Sequence, residues 1–144
     1  MKALQPWALF AIGSAFFAGL TAFFGKLGVA NIDSDLATFI RTLIVVVLVG
    51  GILAYRQEWK PLSQVPAATW GFLALSGIAT GLSWLCYYRA LQLGPVSRVA
   101  PIDKLSVAFA IVLGVVVLGE SLSWATLLGG LLIVAGAVVL VAFG

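Results

Sequence analysis

Apolar residues run along this chain in five long blocks, covering about residues 7–24, 35–55, 67–91, 95–118 and 124–142. Each block matches the roughly 20 mostly apolar residues that an α-helix needs to cross a hydrocarbon core about 30 Å thick. Between them lie short polar or helix-breaking clusters. Gly25-Lys26 closes the first block, and the turn Asn31-Ile32-Asp33-Ser34 offers good N-caps for the second. Arg56 to Pro66, with Glu58, Lys60 and two prolines, reads as an interfacial loop. Gly94-Pro95 and then Gly119-Glu120-Ser121 separate the last three blocks. The pattern predicts an all-α integral membrane protein with five transmembrane helices, one domain over residues 1–144 with little left over for a soluble part.

Composition agrees. The chain is 62% hydrophobic and 9% charged, with a mean hydropathy of +1.16. A soluble domain carries roughly 25% charged residues. The first block has no cleavage site leading to a mature soluble domain, so it reads as a retained span and not a signal peptide. Trp7, Trp59, Trp70 and Trp124 fall at or near expected helix ends, as an aromatic belt requires.

Small residues recur where helices are expected to pack closely: Ala11, Ala15 and Gly19 in the first span, Gly77 and Gly81 in the third, and Gly129, Gly130 and Gly136 in the fifth.

The formal net charge is +3, but no basic run or aromatic-interleaved patch exists, so no nucleic-acid partner is expected. The chain has no His and one Cys, Cys86, an apolar packing residue. That removes the common metal-ligand sets, and no metal or cofactor is expected. No nucleotide-binding loop is present either, so any work done by the chain draws on a gradient or is facilitated.

Five spans put the two chain ends on opposite sides of the membrane. On the N-terminal side, side A, the basic residues are Lys2, Arg56 and Lys60; on side B they are Lys26, Arg89 and Arg98. This tie gives the positive-inside rule nothing to act on, and dual insertion is the expectation. The alternative is that one charge near a boundary breaks the tie.

Away from the block ends, three charges sit inside the apolar blocks: Arg41, Asp103 and Lys104. A charge near the bilayer centre costs roughly 2.5–3.5 kcal/mol on insertion scales. Arg41 lies about 9 Å into its span and Asp103 about 12 Å into its own, both entering from side B. Depth matching therefore predicts an Arg41–Asp103 pair with Lys104 nearby, either as a structural pair or as part of a solute path. Pro101 is expected to bend the fourth span beside it. Ser76, Thr80, Ser83 and Tyr87 recur at i, i+4, i+7 and i+11 on one face of the third span, edged by Trp84 and Tyr88. A polar stripe edged by rings suits a cavity for a small amphipathic solute. The hydroxyls could equally bond back to their own helix. Glu120, after the fourth span, suits the N-terminal dipole of the fifth, with Ser121 or Ser123 as its cap.

Tyr87-Tyr88-Arg89-Ala90-Leu91, Pro101-Ile102, Leu118-Gly119-Glu120, Gly130 and Ile133 to Gly136 together resemble the EamA-like module of the drug/metabolite transporter superfamily, in its five-span bacterial and archaeal branch. The likeness extends to Phe16–Gly25 and covers nearly the whole chain. It implies half of an inverted-repeat, ten-helix transporter of metabolites, amino acids or drugs, working in a prokaryotic inner or plasma membrane. The expected assembly is a homodimer, antiparallel if both orientations insert, surrounded by membrane lipids and handling a small-molecule solute. The expected path comprises Arg41, Ser76, Thr80, Ser83, Trp84, Tyr87, Tyr88, Asp103 and Lys104. The competing reading is a non-transporting assembly partner, or one half of a heteromer. A membrane-embedded enzyme is disfavoured, because no Ser-based motif or metal cluster is present.

Overall fold

The computed structural model describes residues 5–143; Lys2, counted above on side A, lies outside them. The described residues form helices and turns with no strand. Five helical segments are long and apolar enough to cross a membrane. In chain order the helices are α1 (Pro6–Gly28), α2 (Ser34–Tyr55), α3 (Ala67–Leu93), α4 (Val96–Asp103), α5 (Ser106–Val116) and α6 (Trp124–Phe143), with a short 3₁₀ turn at Leu62–Gln64. The fourth span, Val96–Val116, is thus delivered in two pieces, α4 and α5.

The helix ends follow from local chemistry. Asp33 caps α2: its Oδ1 accepts from the N–H groups of Asp35 at 2.9 Å and Leu36 at 3.3 Å. At the other end Gln57 takes φ 54°, the left-handed region. Its N–H donates to the Ala54 carbonyl at 3.1 Å, and that of Glu58 to Leu53 at 3.1 Å. This pair of bonds is a Schellman cap, built with a glutamine where glycine is usual. Ser123, not Ser121, caps α6, with Oγ accepting from Thr126 N–H at 3.0 Å. Glu120, expected to serve the α6 dipole, bends back instead over α5. Gly119 at φ +69° lets the chain reverse, the Glu120 N–H donates to the Gly114 carbonyl at 3.1 Å, and the carboxylate covers the Gly114 backbone.

Very little is buried. Among described apolar side chains only Ala22, Val29, Ala37, Tyr88, Leu91 and Ala137 are, while Phe10, Val47, Phe72 and Val116 point outward. A surface this apolar is at home only in lipid, which solvates it as water cannot.

The described residues divide into two compact units: Gly25–Gln92, and the rest of them. In the second of these, α4 and α5 pack on α6. Gly130 makes the α5–α6 approach possible, since a Cβ there would come within 2.8 Å of Ile111 Cδ1. The other expected close-packing glycines differ: a Cβ at Gly19, Gly77, Gly81, Gly129 or Gly136 would meet nothing within 4 Å. Small residues permit close approach but do not supply the neighbour.

The bend expected at Pro101 comes slightly later. Pro101 lies within α4, and the ladder tightens after it into i→i−3 bonds: Lys104 to Pro101 at 3.1 Å, Leu105 to Ile102 at 2.9 Å, Val107 to Lys104 at 3.0 Å and Ala108 to Leu105 at 3.0 Å. That 3₁₀ geometry marks the break between α4 and α5.

Candidate functional site

In the Gly25–Gln92 unit, Trp84 and Tyr88 stand one turn apart on α3 and so share a face. Arg41, in the second turn of α2, lays its guanidinium on them. Its Cζ lies 3.9 Å from the Trp84 ring centroid and 5.3 Å from that of Tyr88. A cation over such faces gains about 0.5–2 kcal/mol, more as it is desolvated. Tyr88 is buried, and its ring lies 6.5 Å from that of half-buried Tyr87. The stack leaves Arg41 incompletely satisfied: Nη1 is buried and has no hydrogen-bond partner. A buried donor in that state costs about 1–3 kcal/mol. The three carboxylates of this unit are Asp33, Asp35 and Glu58. Asp33 caps α2, and Asp35 accepts from the Ser34 hydroxyl at 3.4 Å.

The rest of the expected stripe is open. Ser76, Thr80 and Ser83 are exposed in the single chain. Thr80 Oγ1 donates to the Ser76 carbonyl at 2.8 Å, the self-bonding that membrane-helix hydroxyls often adopt. Thr38 and Thr42 do the same on α2, each donating to the carbonyl four residues back at 2.8 Å.

In the other unit, Asp103 and Lys104 sit at the α4–α5 break and pair with each other, Nζ to Oδ2 at 3.1 Å. Adjacent residues of a regular helix point apart, and the tightened turn is what brings these two together. Beside them α4 and α6 border an open groove of about 420 Å³, lined by Ala100, Pro101, Lys104, Ile133, Gly136 and Leu140 among others. Within its own unit, then, Arg41 rests on ring faces and Asp103 pairs with the neighbouring lysine.

A polar clamp escapes a reading of single spans. Gln92 Nε2 donates to the carbonyls of Ile32 at 3.0 Å and Val29 at 3.4 Å, and its Oε1 accepts from Arg89 Nη1 at 2.7 Å. Lys26 Nζ donates to the Leu91 carbonyl at 2.5 Å. The α1–α2 turn is thereby tied to the end of α3. The signal lay in helix-terminal polar residues, which count as loop charges until their neighbours are known.

Among the described residues no group of His, Cys, Asp and Glu is placed to hold a metal ion.

Comparison with known proteins bears on the whole chain. A family model described as the EamA-like transporter family matches residues 5–142. A Sinorhizobium sp. protein named "Uncharacterized transporter in cobO 3'region" is 50% identical over 139 residues, which is 96% of this chain and 99% of that protein. No solved structure matches significantly.

Proposed function

The chain belongs to the EamA-like transporter family, and from that premise we propose that two copies, inserted in opposite directions, form one secondary transporter. It is a multi-pass membrane transporter; the family membership and the five apolar helices carry that much. The proposal adds a small metabolite or drug-like solute, alternating access, and a prokaryotic inner or plasma membrane.

The observation that carries the dimer is the state of α3. Its most apolar stretch has no residue buried within the chain, although it bears both the Gly77–Gly81 pair and the hydroxyl face Ser76–Thr80–Ser83. Hydroxyls and glycines facing bare hydrocarbon gain little, whereas a second helix would use both. With five spans per chain, a copy related by a two-fold axis in the membrane plane must insert the other way round. In that assembly Arg41, Ser76, Thr80, Ser83, Trp84, Tyr87, Tyr88, Asp103 and Lys104 line the path, twice over.

The test is a pair of C-terminal reporters, one active on each side of the membrane. Both should be active in comparable amounts. Strong dominance of one side overturns the antiparallel homodimer and leaves a parallel dimer, or a heteromer with a second five-span chain. Flux of a metabolite panel into proteoliposomes tests transport itself; an assembly partner would move none of them.

A further inference from the structure

Arg41 holds a cation that lies over ring faces and has a buried Nη1 with no acceptor. The guanidinium carbon lies 3.9 Å from the Trp84 ring centroid, and a guanidinium that rests on a ring can still donate hydrogen bonds from its edge. Nη1 is nonetheless buried with no acceptor. Other basic groups nearby in sequence and fold are committed: Lys26 to the Leu91 carbonyl, and Arg89 to Gln92. What remains is one planar fork beside ring surfaces from Trp84 and Tyr88.

We propose that the Arg41–Trp84–Tyr88 group is the anion site of the transporter, and that the solute is a monocarboxylate with an apolar or aromatic body. One guanidinium fork matches one carboxylate in geometry and in charge. A dianionic phosphate calls for more positive charge than this group supplies. The rings receive the solute's body, and its carboxylate supplies the acceptor that Nη1 lacks. Reaching Nη1 requires the side chains over it to shift, so binding is coupled to a local rearrangement, which an occlusion step needs. This assignment rests on the transporter reading for its purpose, though not for its chemistry.

The experiment measures binding directly, using the full chain in nanodiscs and phenylacetate, phenylacetamide and inorganic phosphate as probes. Phenylacetate is expected to bind saturably and raise the unfolding midpoint. Phenylacetamide, equal in shape but uncharged, should bind at least about tenfold more weakly, because a charged acceptor is what the fork selects. Arg41→Lys should keep the fold and the charge yet lose about tenfold in affinity for phenylacetate, having lost the planar fork. Arg41→Gln should lose binding altogether; if it does not fold, the lysine variant decides. Equal affinity for the amide, tighter binding of phosphate, or unchanged affinity in Arg41→Lys each overturns the proposal. So does a phenylacetate site that opens only in Asp103→Asn or Glu120→Gln, since a carboxylate of a second copy would then be the natural occupant of Arg41. A chain that binds phenylacetate through Arg41 but carries no solute would sustain this site and sink the two-copy alternating-access reading. Transport without carboxylate binding would do the reverse.

Discussion

Arg41 and the Asp103–Lys104 pair face the same difficulty, a formal charge within an apolar span, and meet it in opposite ways. Asp103 finds its counter-charge one residue away, in a turn that has left α-helical geometry. Arg41 finds none in its unit and rests on two aromatic faces, with Nη1 unpaired. The first arrangement is complete in charge and partly open, with Asp103 35% and Lys104 53% exposed at the side chain. The second is half-buried and incomplete. A self-contained ion pair has little further use for an anion, whereas a stacked cation with a spare donor has an unmet demand. Burial alone would not have ranked the two; the hydrogen-bond inventory does.

The contrast can be broken most directly at the rings. Trp84→Ala removes the nearest face from Arg41 and should cost about 2–4 kcal/mol, combining lost packing with a lost cation–π contact. Trp84→Phe, which keeps a ring, should cost about 1 kcal/mol. Thermal unfolding of purified protein measures both, and equal losses would mean the indole face is not what holds Arg41. Next comes the self-contained pair. Asp103→Asn and Lys104→Gln should each destabilise by about 1–3 kcal/mol by stranding the other charge in a membrane span. The double variant should recover part of that, a coupling of about 0.5–2 kcal/mol. Strict additivity would show that the pair does not act as a pair.

Two smaller changes calibrate the rest of the chain. Gly130→Ala puts a methyl against Ile111 and should cost about 1–2 kcal/mol, while Gly77→Ala should be close to neutral in a monomer and costly only if a second helix packs there. Comparing the two in dimer-forming and dimer-dissociating detergent separates packing within the chain from packing between chains. Gln57→Gly should stabilise by about 0.5–1 kcal/mol, since glycine adopts the left-handed cap conformation without steric penalty. A loss on that substitution would mean that the Gln57 side chain has a role of its own.

The helices and several of their ends were legible in the sequence because the bilayer leaves few alternatives: a spanning segment must satisfy its own backbone, so apolar length and capping residues suffice. Asp33 and Ser123 cap as residue type and place predict. Depth along a span can be counted from the sequence, but depth is one coordinate, and the partner of a buried charge is set by azimuth too. Within its unit Arg41 is held by Trp84 and Tyr88, two residues singled out for a different purpose. The i, i+4, i+7 spacing placed Ser76, Thr80 and Ser83 on one face correctly without telling whether that face is covered. The α4–α5 break, three residues beyond Pro101, carries no marker of its own, because the tightening is shared among four backbone bonds.

The Gln92 clamp makes the α1–α2 connection a poor place to cut or extend the chain. Its amide reaches two carbonyls of that turn, and Val29 beneath is almost wholly buried. An epitope spliced between Val29 and Ser34 would unseat those bonds before it reported on anything. The Trp59–Val65 stretch, exposed but for half-buried Val65 and held by a single 3₁₀ turn, is the permissive site for tags, fluorophores or a crystallisation chaperone. The same hydrogen bonds that close one connection thus mark the other as the handle by which this protein can be studied.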